Sequence, residues 1–183
     1  MRTILLLIPT LLSLSRLGLA LFFPFVEKRH WIWFVLAGGA SDALDGWIAR
    51  RWNLTTWQGG LIDAIADKCF VLSALATFSL AGMFSPWLLP LVLARDLTVT
   101  FIALYAAHQG AWNSFRTMGA RWPGKIATIL QFLLMIVLSI FPLLAMATLV
   151  SAIAASFWAA ADYARRFGAA LRERSGNGDH PPA

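Results

Sequence analysis

The chain has 183 residues, of which 59% are hydrophobic and only 13% are charged. A soluble domain is usually about 45–50% apolar, so this composition excludes an ordinary soluble protein and indicates an integral membrane protein. The single cysteine excludes an internal disulfide and a thiolate-bound metal cluster. The net charge of +6 does not indicate nucleic-acid binding, because the basic residues fall mainly on one side of the predicted membrane segments.

Six apolar segments are long enough to cross a membrane, since a spanning helix needs about 20 mostly apolar residues. In chain order they are 10–26, 31–51, 58–82, 86–108, 123–145 and 147–167, and a short N-terminal interfacial helix is expected at 2–8. Glycine, proline and polar residues between several of these segments favour turns. The sequence therefore predicts an all-α integral membrane protein with six transmembrane helices. Residues 1–167 form the membrane domain, and residues 168–183 form a polar, disordered cytoplasmic tail.

The basic residues are distributed unequally between the two ends of the predicted spans. If the amino terminus is cytoplasmic, ten Lys and Arg residues lie on the cytoplasmic side, and only Lys28 and Arg29 lie on the outer side. Basic residues accumulate on the cytoplasmic side of membrane proteins, where they meet anionic lipid headgroups. The pattern predicts a multi-pass protein whose positive charge faces the lipid bilayer rather than a nucleic acid.

Four of the nine acidic residues fall in one short segment between long apolar runs. Asp42 and Asp45 are three residues apart on the second predicted helix, so they share a helix face, and Asp63 and Asp67 share a face of the third. Together these carboxylates would repel one another. Hard divalent cations such as Mg²⁺ and Mn²⁺ favour carboxylate and phosphate oxygens and remove that repulsion. Buried ion pairs with nearby arginine and lysine side chains are the alternative.

Small and basic residues adjoin these aspartates. Gly46 and Ala49 each follow an aspartate by four residues, so they leave space for a ligand, or for another helix, beside a carboxylate. Gly59 lies in the turn before the third helix, and Arg50 offers a positive charge suited to phosphate. The arrangement indicates a site for a bulky phosphorylated ligand.

Further basic residues lie in and around the fourth and fifth predicted spans. Arg95 is inside the fourth span, Lys125 is near the start of the fifth, and Arg116 and Arg121 are in the loop between the two. Ionisable residues within spans are rare and mostly functional. All four are candidates for binding an anionic ligand. For Arg116 and Arg121, simple contact with solvent or lipid headgroups is the alternative.

The pattern D-x2-D-G-x2-A-R-x8-G-x3-D-x3-D, which is complete here, resembles the signature of the CDP-alcohol phosphatidyltransferase family. The stretch PTLLSLSR at 9–16 is similar to the family's P-N-x-L-T-x-x-R, with Thr10 and Ser13 replacing its Asn and Thr. The stretch GKIATILQ at 124–131 is similar to the G-K-x-x-T-x-x-Q of bacterial phosphatidylglycerophosphate synthases. Together, the resemblance in motifs and helix number covers most of the predicted membrane domain.

The resemblance implies a homodimeric enzyme of a bacterial-type inner (cytoplasmic) membrane, with its active site facing the cytoplasm. Such an enzyme transfers a phosphatidyl group from CDP-diacylglycerol to an alcohol and releases CMP. The implied ligands of two Mg²⁺ or Mn²⁺ ions are Asp42, Asp45, Asp63 and Asp67, and Asp67 is also the implied catalytic base. The residues expected to bind CDP are Gly46, Ala49, Arg50 and Gly59.

The acceptor alcohol is expected to carry a phosphate, which Arg95, Lys125, Arg116 and Arg121 would bind. The GKIATILQ resemblance favours glycerol 3-phosphate, whose product is phosphatidylglycerophosphate, in phospholipid biosynthesis. Phosphatidylglycerol, the acceptor of cardiolipin synthases in the same family, and inositol phosphate are alternatives. An ion-coupled transporter is the alternative from another class. It is less favoured because no internal repeat is visible and the acidic cluster lies at one membrane face.

Overall fold

The computed structural model of the chain describes residues 2–51, 57–108 and 122–176. These residues form helices joined by short turns, and none of them is in a β-strand, which confirms the predicted all-α class. The helices are α1 (Arg2–Phe22), α2 (Trp31–Arg51), α3 (Trp57–Leu80), α4 (Leu89–Val92), α5 (Ala94–His108), α6 (Trp122–Ile140) and α7 (Ala145–Gly176). Short 3₁₀ turns occupy Phe23–Phe25, Lys28–His30, Pro86–Leu88 and Pro142–Leu144.

The amino-terminal helix differs from its prediction. The sequence predicts a short helix at 2–8 followed by a separate span, whereas α1 is continuous from Arg2 to Phe22. The leucine-rich run on both sides of Pro9 favours helix, and no glycine accompanies the proline to form a turn. A separate interfacial helix is therefore absent from the described residues.

The apolar helices carry the features of a membrane protein. Within the described residues, Trp122–Ile140 and Pro142–Arg172 are long and apolar enough to cross a membrane. Pro86–Val92 and Ala94–His108, bent by 58° where they join, add a third crossing if the pair counts as one span. Large apolar side chains are widely exposed, with Leu143 at 96% of its full accessibility, and such a surface fits a lipid environment. Six spans remain a prediction.

The first of two compact units comprises Met1–Leu89 and Phe132–Met146. Within the described residues of this unit, α1 packs against both α2 and α3 more extensively than α2 and α3 pack against each other. The Ser13 hydroxyl donates to Asp63 near the start of α3, and the Ser73 hydroxyl donates to the Ala20 carbonyl oxygen further along both helices. These two bonds show that α1 and α3 run parallel, so α1 is the element that brings the aspartate-bearing helices together.

Aromatic side chains stabilise this unit. They lie at the carboxyl-terminal end of α1 and in the part of α3 that follows Asp67 in sequence. The buried ring of Phe23 packs against Trp31, Phe70 and Phe78, with centroid distances between 5.8 and 6.2 Å. Phe70 also lies against the backbone of α2. Its ring is so close to Gly38 that a Cβ added there would overlap it. The cluster buries large apolar rings, which dominate core energetics, and it fixes the positions of α2 and α3.

The second unit comprises Pro90–Gln131 and Ala147–Ala183. The predicted span 86–108 is broken just before this unit's helix α5. There the Arg95 backbone N–H donates to Ser156 Oγ at 3.0 Å, and Gln131 Nε2 donates to the Val92 carbonyl oxygen at 3.0 Å. Side chains that engage backbone groups of a helix stabilise such a break. The break places Arg95 in the first turn of α5.

The last helix extends past the predicted end of the membrane domain at residue 167. It continues to Gly176, through residues that the sequence assigned to the disordered tail. Ala, Leu, Arg and Glu dominate this extension and are strong helix formers. Leu171 also packs on the buried pair Ala106 and Phe167, which ties the extension to α5. Residues 177–183 of the predicted tail lie outside the described residues.

Candidate active site

Three of the four motif aspartates have described side chains. Asp42 lies on α2, and Asp63 and Asp67 lie one turn apart on α3, so the latter two share a helix face. The side chains of Asp42 and Asp63 are 40% and 41% exposed, and Oδ1 of Asp67 is buried. Asp45 lies in α2, but its side chain is outside the described part. The aspartates are therefore half-buried and remain reachable from the surface.

A single arginine joins the two helices at this point. Arg16 Nη1 lies 2.9 Å from Asp42 Oδ1 and 3.1 Å from Asp63 Oδ1. Its Nε donates to Ser41 Oγ at 3.3 Å, and the Ser41 hydroxyl donates to the Gly38 carbonyl oxygen at 2.9 Å. The Arg16 side chain is fully buried. Carboxylates from α2 and α3 thus converge on one cationic atom, which the spacing of the motif does not specify.

The residues expected to bind CDP next to the aspartates are only partly described. Gly46, Ala49 and Arg50 lie in α2 and Gly59 near the start of α3, with their side-chain environments outside the described part. Among the described side chains, no three acidic, His or Cys residues form a metal-ligating group. The side chain of Asp45, one of the four expected ligands, is not among them. The assignments of CDP-binding and metal-binding residues stay predictions.

A second polar cluster lies in the second unit, around Arg95. The Arg95 side chain is 18% exposed, and its Nη1 lies 2.8 Å from Asp96 Oδ1 and 3.4 Å from Thr128 Oγ1. Gln131 Nε2 donates to Asp96 Oδ2 at 2.8 Å. Among the described residues, no acceptor meets the buried Arg95 Nε. The guanidinium is therefore anchored on one side and retains a donor for a further oxygen.

The start of α6 completes this cluster. A Cβ at Gly124 would lie 3.1 Å from the Tyr163 hydroxyl and 3.4 Å from Arg95 Nη2, so Arg95 lies close to the α6 backbone. The exposed Lys125 ammonium lies 5.4 Å from the centroid of the Trp122 ring, a cation–π arrangement. Arg116 and Arg121, which were also proposed to bind the acceptor, lie outside the described residues.

Comparison with known proteins decides the family. A sequence profile described as CDP-alcohol phosphatidyltransferase matches residues 6–158, a range that contains all four aspartates, Arg16 and the cluster around Arg95. The chain belongs to the CDP-alcohol phosphatidyltransferase family. It is therefore a membrane transferase of phospholipid biosynthesis, and the predicted family resemblance is confirmed.

Several bacterial relatives carry the name CDP-diacylglycerol--glycerol-3-phosphate 3-phosphatidyltransferase. The protein from Pectobacterium atrosepticum is 32% identical, over 69% of this chain and 72% of the relative. The proteins from Yersinia pestis and Sodalis glossinidius are also 32% identical, over 68% and 72% of this chain and 71% and 75% of theirs. This transferase is thus similar to enzymes named for glycerol 3-phosphate as acceptor.

The structure adds residues of this phosphatidyltransferase that sequence reasoning did not place. Arg16 and Ser13, the last two fixed positions of PTLLSLSR, both contact Asp63. In GKIATILQ, Thr128 and Gln131 contact Arg95 and Asp96 respectively. The resemblances marked both stretches, but the partners lie at least 33 residues away in sequence. No spacing rule for a single helix covers such a distance.

Gly124→Ala is expected to impair use of the acceptor by this phosphatidyltransferase. The added methyl would lie 3.1 Å from the Tyr163 hydroxyl and 3.4 Å from Arg95 Nη2, at or below the short end of ordinary contact, so these side chains would have to shift. Overpacking of this kind costs roughly 1–3 kcal/mol. We expect kcat/KM for a phosphorylated acceptor to fall about tenfold, because about 1.4 kcal/mol corresponds to a factor of ten. Steady-state kinetics with varied acceptor measures the effect.

Gly168→Ala is the matched control for this substitution. Gly168 lies in α7, and a Cβ at this position would meet nothing within 4 Å. We expect its kinetics to equal those of the wild type. Equal kcat/KM values for Gly124→Ala and Gly168→Ala would show that close approach at Gly124 does not position Arg95.

Proposed function

We propose that this protein transfers the phosphatidyl group of CDP-diacylglycerol to glycerol 3-phosphate and releases CMP. The observation that carries the proposal is the convergence of Asp42 and Asp63 on one cationic atom, Arg16 Nη1. Carboxylates from two helices, brought this close together and about two-fifths exposed, offer the oxygen ligands that a divalent cation prefers, and such a cation would bind the pyrophosphate of a CDP-linked donor. The names of the bacterial relatives support glycerol 3-phosphate as the acceptor.

The donor's pyrophosphate is proposed to bind at the aspartates. The ligands of two Mg²⁺ or Mn²⁺ ions would be Asp42, Asp45, Asp63 and Asp67. When bound, these ions supply charge neutralisation at the pyrophosphate and at the departing CMP. The small residues Gly46 and Ala49 would leave room for the cytidine nucleotide, and Arg50 would offer a charge to its phosphates. Gly59 is proposed to bind the nucleotide from the first turn of α3, because the structure places it in that helix and not in the predicted turn before it.

An apolar groove gives the donor's acyl chains a place beside the aspartates. The groove has a volume of about 590 Å³, and its lining includes Leu14, Leu17 and Leu21 of α1 and Leu72 and Ala76 of α3. Leu14, one of its lining residues, directly follows Ser13, whose hydroxyl contacts Asp63. A lipid whose headgroup is bound at Asp63 would therefore have apolar surface available for one of its chains.

The chemical step needs a base and an aligned acceptor. Asp67 is proposed to take the proton from the acceptor hydroxyl as that oxygen forms a bond to the phosphorus of the phosphatidyl group. The bond between that phosphorus and the bridging oxygen breaks, and CMP leaves with the bonding electron pair. The partly buried position of Asp67 on the same face as Asp63 supports this role, because a base must be held close to the reacting hydroxyl.

The acceptor's phosphate is proposed to bind at Arg95 and Lys125, with Arg116 and Arg121 contributing from the loop that the sequence predicts between the fourth and fifth spans. Support comes from the anchoring of Arg95 by Asp96 and Thr128, which leaves its Nε for a further acceptor. A guanidinium whose orientation is held this way binds phosphate oxygens directionally. Phosphatidylglycerol and inositol phosphate also carry a phosphate, so they are the competing acceptors.

The membrane arrangement belongs to the same proposal. Six spans with cytoplasmic aspartates would bring the site to the surface where CDP-diacylglycerol and water-soluble acceptors meet, and the uneven distribution of basic residues supports this orientation. A homodimer in a bacterial inner membrane is the assembly that the family resemblance implies.

An acceptor panel tests the proposed function. Purified protein is incubated with CDP-diacylglycerol, Mg²⁺ or Mn²⁺, and glycerol 3-phosphate, phosphatidylglycerol, inositol, inositol phosphate or serine, and CMP release is measured. We expect release with glycerol 3-phosphate, with phosphatidylglycerophosphate as the lipid product, and no release in the presence of EDTA. Release only with phosphatidylglycerol or inositol phosphate would contradict the acceptor assignment. No release with any member of the panel would contradict the transferase function of this chain.

A further inference from the structure

A buried arginine at the centre of a set of acidic ligands needs an explanation. The Arg16 side chain is fully buried in the first unit, whereas Asp42 and Asp63, two carboxylates that it pairs with, are each about two-fifths exposed. The arginine therefore approaches the carboxylates from the protein interior, and their exposed parts face outward. Arginine keeps its charge when buried, so it requires partners of opposite charge in this position.

The carboxylates need the arginine in return. Asp42 and Asp63 come from α2 and α3, and in the described residues both helices pack mainly against α1. Their Oδ1 atoms both lie close to Arg16 Nη1, at 2.9 and 3.1 Å. Two carboxylates held this close together repel each other unless a cation lies between them. Arg16, fixed through Nε to Ser41 on α2, is such a cation and is present before any metal binds.

We propose that Arg16 is an internal counter-cation that assembles the aspartate site without metal and weakens metal binding to it. This inference rests on the proposed function, in which Asp42 and Asp63 bind divalent metal. The fixed positive charge neutralises part of the carboxylate charge, so the empty site is stable. The same charge repels an incoming divalent cation, because two positive charges a few ångströms apart interact strongly even at a protein surface. Arg16 is a positioning residue and makes no contact with substrate in this role.

The inference predicts a metal-dependent defect when the charge is removed. In Arg16→Gln, we expect the melting temperature measured in EDTA to fall, because the carboxylates lose their counter-cation. We expect Mn²⁺ to raise the melting temperature by more than it does in the wild type, and the Mn²⁺ dissociation constant to fall by about tenfold or more. Arg16→Lys, which keeps the charge, should respond to Mn²⁺ as the wild type does.

Thermal unfolding of the detergent-purified full chain, followed by tryptophan fluorescence in EDTA and in Mn²⁺, provides the first readout. A Mn²⁺ titration followed by electron paramagnetic resonance provides the second. The matched control is Arg166→Gln, which removes an arginine bonded to Asp162 on the exposed surface of α7. We expect the Mn²⁺ response of this control to equal that of the wild type.

A merely structural role for Arg16 would lower the melting temperature equally with and without Mn²⁺, and that result would overturn the inference. So would an unchanged or weaker Mn²⁺ affinity in Arg16→Gln. If the wild type itself does not respond to Mn²⁺, the metal assignment in the proposed function fails, and this inference fails with it.

A double variant tests the counter-cation role without metal, including the case in which Arg16→Gln does not fold. Arg16→Gln combined with Asp42→Asn removes one positive and one negative charge together. We expect the double variant to melt in EDTA at a higher temperature than Arg16→Gln alone. A double variant that is no more stable than the single one, or that also fails to fold, would overturn the inference.

Discussion

Asp67→Asn is expected to lower kcat by about 10²–10⁴-fold, the usual contribution of a positioned general base. An asparagine has nearly the same size and shape, but its amide does not accept the proton of the acceptor hydroxyl. Oδ1 of Asp67 is buried, so a substitution that preserves volume is the least disruptive way to remove the carboxylate. Binding of CDP-diacylglycerol is expected to be largely retained, because Asp42, Asp45 and Asp63 remain.

Single-turnover CMP release measures the chemical step, and binding of a CDP-linked lipid measures the donor site separately. The matched control is Asp162→Asn, which removes a carboxylate paired with Arg166 on α7 and should leave kcat unchanged. Wild-type turnover in Asp67→Asn would exclude Asp67 as the base. Loss of donor binding together with turnover would instead assign Asp67 mainly to holding the donor.

Arg95→Gln is expected to reduce kcat/KM for glycerol 3-phosphate by about 100-fold, because the acceptor's phosphate would lose its charged partner. Losing one partner of a partly buried charged pair costs roughly 2–5 kcal/mol. The guanidinium is held by Asp96 and Thr128, and no acceptor among the described residues meets its buried Nε. Gln131 still bonds to Asp96 in the variant, which limits the structural damage. KM for CDP-diacylglycerol should change little.

The comparison of glycerol 3-phosphate with glycerol isolates the contribution of the acceptor's phosphate. If Arg95 binds that phosphate, Arg95→Gln reduces the preference of the enzyme for glycerol 3-phosphate over glycerol, whereas Arg166→Gln leaves the preference intact. Should Arg95→Gln unfold, Arg95→Lys is measured in the same way, because a lysine keeps the charge near Asp96 but lacks the directional fork. An unchanged preference in a folded Arg95 variant would remove Arg95 from the acceptor site.

Local sequence patterns were sufficient for much of the architecture. Apolar segments of spanning length predicted the helical class and most helix positions, because the repeat of a helix and the thickness of a bilayer are short-range constraints. The predicted boundaries fail where a tertiary contact decides them. The span 86–108 breaks before α5 because Ser156 and Gln131 engage its backbone. The last helix runs past residue 167, where Leu171 packs against α5.

The amino-acid sequence alone was enough to identify the family and to predict that the motif carboxylates share helix faces, since the spacing of each pair reflects one turn of helix and needs no tertiary information. Tertiary packing, by contrast, placed Arg16 between Asp42 and Asp63 and anchored Arg95 on Asp96 and Thr128, with Gln131 donating to Asp96. The ion pairs of Arg16 join helices that are distant in sequence. Their geometry depends on how α1 packs against α2 and α3, and helix periodicity does not specify that packing.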